Sequence, residues 1–151
     1  MQNADMIANL RGCRLPAWDL LPDFGLYMDQ LVTFVSRALP DSSRKLELTS
    51  NMINNYVKAG LIDKPDGKKY SRESLAQLPM ISLLKPTTPL DLMKPLLHPG
   101  GDLKTEEIYS AFRDAQERIS EEIIRRDDQP AMVYALESAC LQSVLRRLLS
   151  P

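Results

Sequence analysis

Residues 49–70 read TSNMINNYVKAGLIDKPDGKKY, and the residue choices in this stretch decide how the rest of the chain is read. A helix begun at Thr49 puts Met52, Ile53, Tyr56 and Val57 on one side, at the one- and four-residue steps of a buried stripe. The opposite side carries Asn51, Asn54, Asn55 and Lys58 at i, i+3, i+4 and i+7, a second stripe that is wholly polar. Asparagine is a poor helix former because its amide competes for nearby backbone groups, so three in one short helix answer to something other than folding. An amide that donates and accepts at once suits adenine edges in the DNA major groove and phosphate oxygens. The polar stripe is therefore expected to be the reading face of a recognition helix.

The residues that follow point the same way. Gly60 stands where a left-handed C-terminal cap belongs, and Leu61 can fold back on the last turn. Ile62-Asp63-Lys64 and Lys68-Lys69-Tyr70 flank the turn signal Pro65-Asp66-Gly67, which predicts a short β-hairpin. A hairpin holding Lys64, Lys68 and Lys69 beside a helix would be a wing. Ser71 then reads as an N-cap, with Glu73 in the first turn of a helix through Leu75 and Leu78.

The segment NNYVKAGLIDKPDGKKYSRESLAQL resembles the winged helix-turn-helix of MerR-type transcription regulators. More closely, LYMDQLVTFV, LTSNMINNYVKAGLI and KKYSRESLAQL are similar to an uncharacterised bacterial family of small proteins suspected of DNA binding. That similarity runs from Trp18 to about His98 and implies a fold more firmly than an activity. Two departures from the MerR pattern stand out, a short wing and Pro79, which interrupts the helix after Leu78. The metal-binding cysteines and long antiparallel dimer helix of that group have no counterpart, so its effector chemistry is not carried over.

Length and composition set the bounds. At 151 residues and 44% hydrophobic content the chain can form one domain, or a small domain with a helical extension. No apolar run approaches the ~20 residues that cross a bilayer, and the N-terminus lacks a signal pattern, so a cytoplasmic protein without membrane contact is expected. Cys13 and Cys140 form no CxxC pair, which argues against a structural disulfide or zinc site. The net charge of −1 argues against a generic polyanion binder. Residues 1–40 carry three Lys/Arg against four Asp/Glu, residues 41–78 seven against five, and residues 79–151 nine against eleven. The centre is the basic part, which fits a specific DNA contact better than sequence-independent coating of phosphates.

Before the central stretch, residues 1–25 have two prolines, a lone Trp18 and no sustained period, and read as an irregular arm with Trp18 plugging the core. LYMDQLVTFVSRAL, from Leu26 to about Leu39, has an apolar stripe of Tyr27, Leu31, Phe34 or Val35, and Ala38, the first helix of a helix-turn-helix. Pro40-Asp41-Ser42-Ser43 ends it. In the connector SSRKLEL, Arg44 and Lys45 either meet phosphate at a turn or form a solvated surface loop, and Leu46 and Leu48 can pair with the wing as a small sheet.

After Leu78, Pro79, Pro86, Pro89 and Pro95 are expected to divide the chain into short helical pieces. Thr88-Pro89 is a start signal, cap and first helical position, and His98-Pro99-Gly100-Gly101 marks a subdomain boundary. Beyond it, Thr105-Glu106-Glu107 opens a helix with Ile108, Phe112, Ala115, Ile119 and Ile123 on one face. Pro130 fits the first position of a last helix, whose seam Val133, Leu136, Cys140, Val144 and Leu148 is widened by Met132, Leu141, Leu145 and Leu149. A helix this broadly apolar is usually buried on more than one side, within its own domain or against a second copy.

Catalytic and metal patterns are absent from the sequence. The single histidine, His98, lies beside Pro99 and reads as a turn or cap residue. Glu106, Glu107, Glu117, Glu121 and Glu122 form acid pairs without a Glu-x-x-His, and read as a solvated helix face. Gly100-Gly101 lacks the motif of a phosphate loop. A non-enzyme is therefore expected, with no cofactor and no metal.

The expected architecture is mainly α-helical: an arm at 1–25, a MerR-like winged helix-turn-helix with a short β-hairpin wing at 26–98, and a C-terminal helical pair at 99–151. The expected partner is double-stranded DNA, bound by a transcription regulator that dimerises through its C-terminal helices. Asn51, Asn54 and Asn55 would face the major groove, with Arg44, Lys45, Lys58, Lys64, Lys68, Lys69 and Arg72 on phosphates. Thr49 and Ser50, at the helix start, would offer phosphate a hydroxyl or a backbone N–H. The rival expectation is a non-catalytic protein-interaction adaptor on the same scaffold.

Overall fold

The computed structural model describes residues 14–39, 48–126 and 128–151. A 3-10 turn at Trp18–Leu20 precedes six helices among these residues: α1 (Met28–Ala38), α2 (Ser50–Lys58), α3 (Arg72–Leu84), α4 (Leu90–Leu97), α5 (Thr105–Arg125) and α6 (Ala131–Leu149). The organising element is α3. Every residue from Ser74 to Ser82 is buried, because α1, α4 and α5 all pack against it. α1 also meets α2, α6 rests on α4, and the Trp18 turn rests on α5.

Pro79 does not end α3, contrary to the expectation from the proline spacing; the helix runs on to Leu84. Proline there withholds the N–H that would bond to the Leu75 carbonyl, at a cost of about 3 kcal/mol in an exposed helix. Each apolar side chain fully removed from water returns about 1.5–3 kcal/mol, and Leu75, Leu78, Met80 and Ile81 are all buried here. Burial outweighs the lost bond. Pro95 is likewise carried inside α4. Pro89 and Pro130 each stand one position before their helices, as N-caps.

No β-strand forms among the described residues, and the β-hairpin wing is corrected to a turn. Asp66 and Lys69 exchange two backbone bonds, 2.9 and 3.0 Å, around Gly67-Lys68, with Gly67 at φ 60° as a two-residue turn requires. Pairing stops there. The next hydrogen-bonded pair would be Lys64 with Ser71, but the Ser71 carbonyl already accepts from the Leu75 N–H at 3.2 Å as α3 begins, while the Tyr70 backbone faces the other way and is bonded to Leu26, N–H to carbonyl in both directions at 2.8 and 3.0 Å. The turn is thus tied to the residues before α1. Leu46, expected to pair with it, lies outside the described residues together with Pro40–Ser43, while Leu48 is buried.

The segment before α1 is irregular, yet it is held in the core. Leu15 and Leu21 are fully buried. Tyr109 Oη donates to the Pro16 carbonyl at 2.6 Å and Arg113 Nε to the Leu15 carbonyl at 2.8 Å, so α5 clasps the segment. Trp18 packs half-buried against the core, its ring 6.2 Å from that of Tyr109 at 59°. Burial pushes the Tyr109 phenol up to about 12, despite the opposing charge of Arg113.

Ile108 and Phe112 of α5 pack on the core, Tyr109 is buried there, and Ile119 is exposed. Glu107 accepts from the Lys104 backbone N–H at 2.8 Å and starts the helix. At the α5–α6 corner, Arg126 pairs with Glu137 at 2.6 Å, and Tyr134 Oη donates to the Arg126 carbonyl. α6 buries no residue.

Candidate nucleic-acid interface

α2 is fixed at both ends and along one side. Thr49 is its N-cap, its hydroxyl accepting from the Met52 N–H at 3.3 Å. At the other end the Gly60 N–H reaches the Val57 carbonyl at 3.0 Å and the Leu61 N–H the Tyr56 carbonyl at 2.9 Å. With Gly60 at φ 71°, this is a Schellman cap. Ile53 and Tyr56 are buried, while Asn51, Asn54, Asn55 and Lys58 are exposed. The polar stripe lies in solvent on a helix that cannot roll.

Clefts flank the stripe. On one side, Ser50 and Lys68 share an open cleft of about 490 Å³ with Tyr27, Asp29 and Gly67. The turn therefore brings Lys68 to the start of α2, with the Asp29 carboxylate in the same space. On the other side, Asn55 lines a cleft of about 370 Å³ with Lys85, Met52, Tyr56 and Leu90. Lys85 caps the end of α3. A Cβ placed on Gly60 would come within 3.2 Å of Lys94 Nζ, so a second cation stands beside the C-terminus of α2.

The remaining cations divide. Lys64, Lys69 and Arg72 line a separate cleft of about 490 Å³ with Asp23, Asp66 and Glu73. Lys69 lies over the Tyr27 ring, 5.5 Å from its centroid. The Arg72 guanidinium lies 5.6 Å from the Trp18 centroid and 3.7 Å from Asp23, its side chain only 24% exposed. Arg72 thus holds the arm against α3. Arg44 and Lys45 lie outside the described residues.

Lys85 and Lys94 escape the sequence reading. Lys85 follows from a helix that continues through Pro79, since only an unbroken α3 carries it to the side of α2. His98 Nε2 lies 2.9 Å from the Leu61 carbonyl. A carbonyl only accepts, so Nε2 carries the proton and ties the end of α4 to the cap of α2. Burial raises the Tyr70 phenol, which stays neutral between the two clefts beside the turn. Among the described residues, no three His, Cys, Asp or Glu side chains come together as a metal site, and no helix is long and apolar enough to cross a membrane.

Fold and surface together define a mainly helical domain that presents one short, capped, amide-bearing helix to solvent. The chain belongs to the family described as a domain of unknown function, DUF1836, whose model matches residues 16–134. The match takes in the Trp18 turn and α1 to α5, and stops near the start of α6. No curated protein and no solved structure matches the chain.

Proposed function

We propose that this domain is a transcription regulator that binds double-stranded DNA with α2 in the major groove, in a helix-turn-helix of α1 and α2. The observation that carries the reading is the exposed row Asn51, Asn54, Asn55 and Lys58 on a helix whose other face is anchored by Ile53 and Tyr56. The MerR-like wing contracts to the Gly67-Lys68 turn, from which Lys68 reaches phosphate near Ser50. Lys85 and Lys94 add cations on the far side of the helix. Thr49, its oxygen engaged as a cap, positions the helix, while Ser50 presents its hydroxyl or its backbone N–H to phosphate.

Selection of bound oligonucleotides from a random duplex pool tests this. The expected result is a recovered motif containing adenines, the base that an asparagine amide pairs with in two hydrogen bonds. Affinity should fall with salt at a log–log slope on the order of −3 to −4, about −0.9 for each phosphate met by Lys58, Lys68, Lys85 and Lys94. Recovery of no motif, with no retention of duplex even at low salt, would sink the proposal.

A further inference from the structure

Met132, Leu136, Cys140, Val144 and Leu148 recur at every fourth residue of α6 and so form one continuous ridge along it. That ridge faces away from the molecule: Met132 and Leu148 are each 76% exposed, Leu136 64% and Val144 53%, and Cys140 is an exposed free thiol. The inward side of the same helix uses other residues, Tyr134, Leu145 and Leu149, all half-buried. The outward apolarity is therefore surplus to the fold of one chain.

The order of the ridge says what covers it. A two-fold axis through Cys140 exchanges Leu136 with Val144 at the centre and Met132 with Leu148 at the ends, so apolar is matched with apolar along the ridge when the helix is laid antiparallel and inclined across itself. Self-complementarity of this kind is the requirement of a two-fold interface. Charge agrees. Arg146 and Arg147 close the C-terminal end of α6 and the exposed Asp128 precedes its N-terminal end. The antiparallel arrangement points these arginines toward the partner's Asp128, about one and a half turns farther along, and opposes the two helix dipoles.

Area agrees too. Each exposed aliphatic side chain of the ridge and its flanks, Val133 and Leu141, offers on the order of 100 Å². With the polar rim of Ser143 and Arg147, the face approaches the ~800 Å² per partner of a standard specific interface.

We infer that two copies of this chain associate through α6, antiparallel, about a two-fold axis at Cys140. This rests on the surface of α6 alone and is independent of the DNA-binding reading, so either can fail without the other.

Sedimentation velocity of the full chain at about 50 µM, above the micromolar limit of interfaces this size, should give twice the 17.1 kDa chain mass. Leu136→Asp with Val144→Asp should give the single-chain mass with an unchanged far-UV spectrum, because neither residue is buried. In a Cys13→Ser background, a short bismaleimide should link the remaining thiol to its counterpart, giving a covalent dimer. Adding Cys140→Ser should abolish it. A wild-type monomer, a dimer that survives both aspartates, or a dimer in which Cys140 cannot be linked would each overturn the inference.

Discussion

At the scale of single residues, the amides of α2 can be separated from the packing that holds them. Asn54 and Asn55 are exposed, and alanine is the better helix former by about 0.5 kcal/mol each. The double change Asn54→Ala, Asn55→Ala should therefore leave the urea midpoint unchanged or raise it slightly. In a binding assay the same change should flatten sequence preference, by about 1–3 kcal/mol of discrimination for each amide paired with a base. Unfolding would instead show that the amides are structural. Gly60 carries the opposite load. Its φ of 71° is open to glycine at little cost, while a residue with a Cβ loses about 1–2 kcal/mol there. Gly60→Ala should lower the melting temperature by several degrees, with α2 fraying from its Schellman end. That cap was legible because its signals, Gly60 and Leu61, are neighbours in the chain. Arg72 was not, since its partners Trp18 and Asp23 belong to a segment with no periodicity to say where it runs.

At the scale of elements, α1 and α2 could be read because each has a polar side and an apolar side, and period is visible only where the two alternate. α3 has no such contrast. With Ser74 to Ser82 all buried, a helix enclosed on every side shows no stripe, and Pro79 then looks like its end. The hairpin failed for a different reason: Ser71, which would pair next, already opens α3 as its N-cap, and Tyr70 turns its backbone groups outward to Leu26, a partner that local turn signals cannot reveal. The enclosure of α3 makes Pro79→Ala informative. Alanine restores the bond to the Leu75 carbonyl, worth about 3 kcal/mol against proline in a helix interior. It also removes two buried ring carbons, at about 0.8 kcal/mol each. The net expectation is a gain of about 1 kcal/mol in urea unfolding. A loss of that size would mean that the ring's fit in the core outweighs the backbone bond.

At the scale of the whole molecule, the clasp between α5 and the segment before α1 joins distant parts of the chain, and alkaline pH tests how much it contributes. Tyr109 is fully buried, donates to the Pro16 carbonyl, and has its phenol pushed up to about 12 by burial. Unfolded, a tyrosine ionises near 10. Below that pH both states hold the proton and the contribution of the buried phenol is intact. Between about 10 and 12 the unfolded chain releases the proton while the folded chain keeps it, so stability falls as pH rises. Two pH units of such linkage amount to roughly 2–3 kcal/mol. Tyr109→Phe leaves the Pro16 carbonyl without its donor and should cost about 1–3 kcal/mol at neutral pH. It no longer titrates, so the gap between wild type and variant should close as pH rises from 10 toward 12. Urea midpoints of both proteins across that range decide the matter, because every other titrating group, Tyr70 included, is common to the two and cancels. A gap that stays constant through pH 12 would mean that the phenol is reached by water in the folded state, and that α5 holds the Leu15–Trp18 segment through Arg113 and ring packing instead.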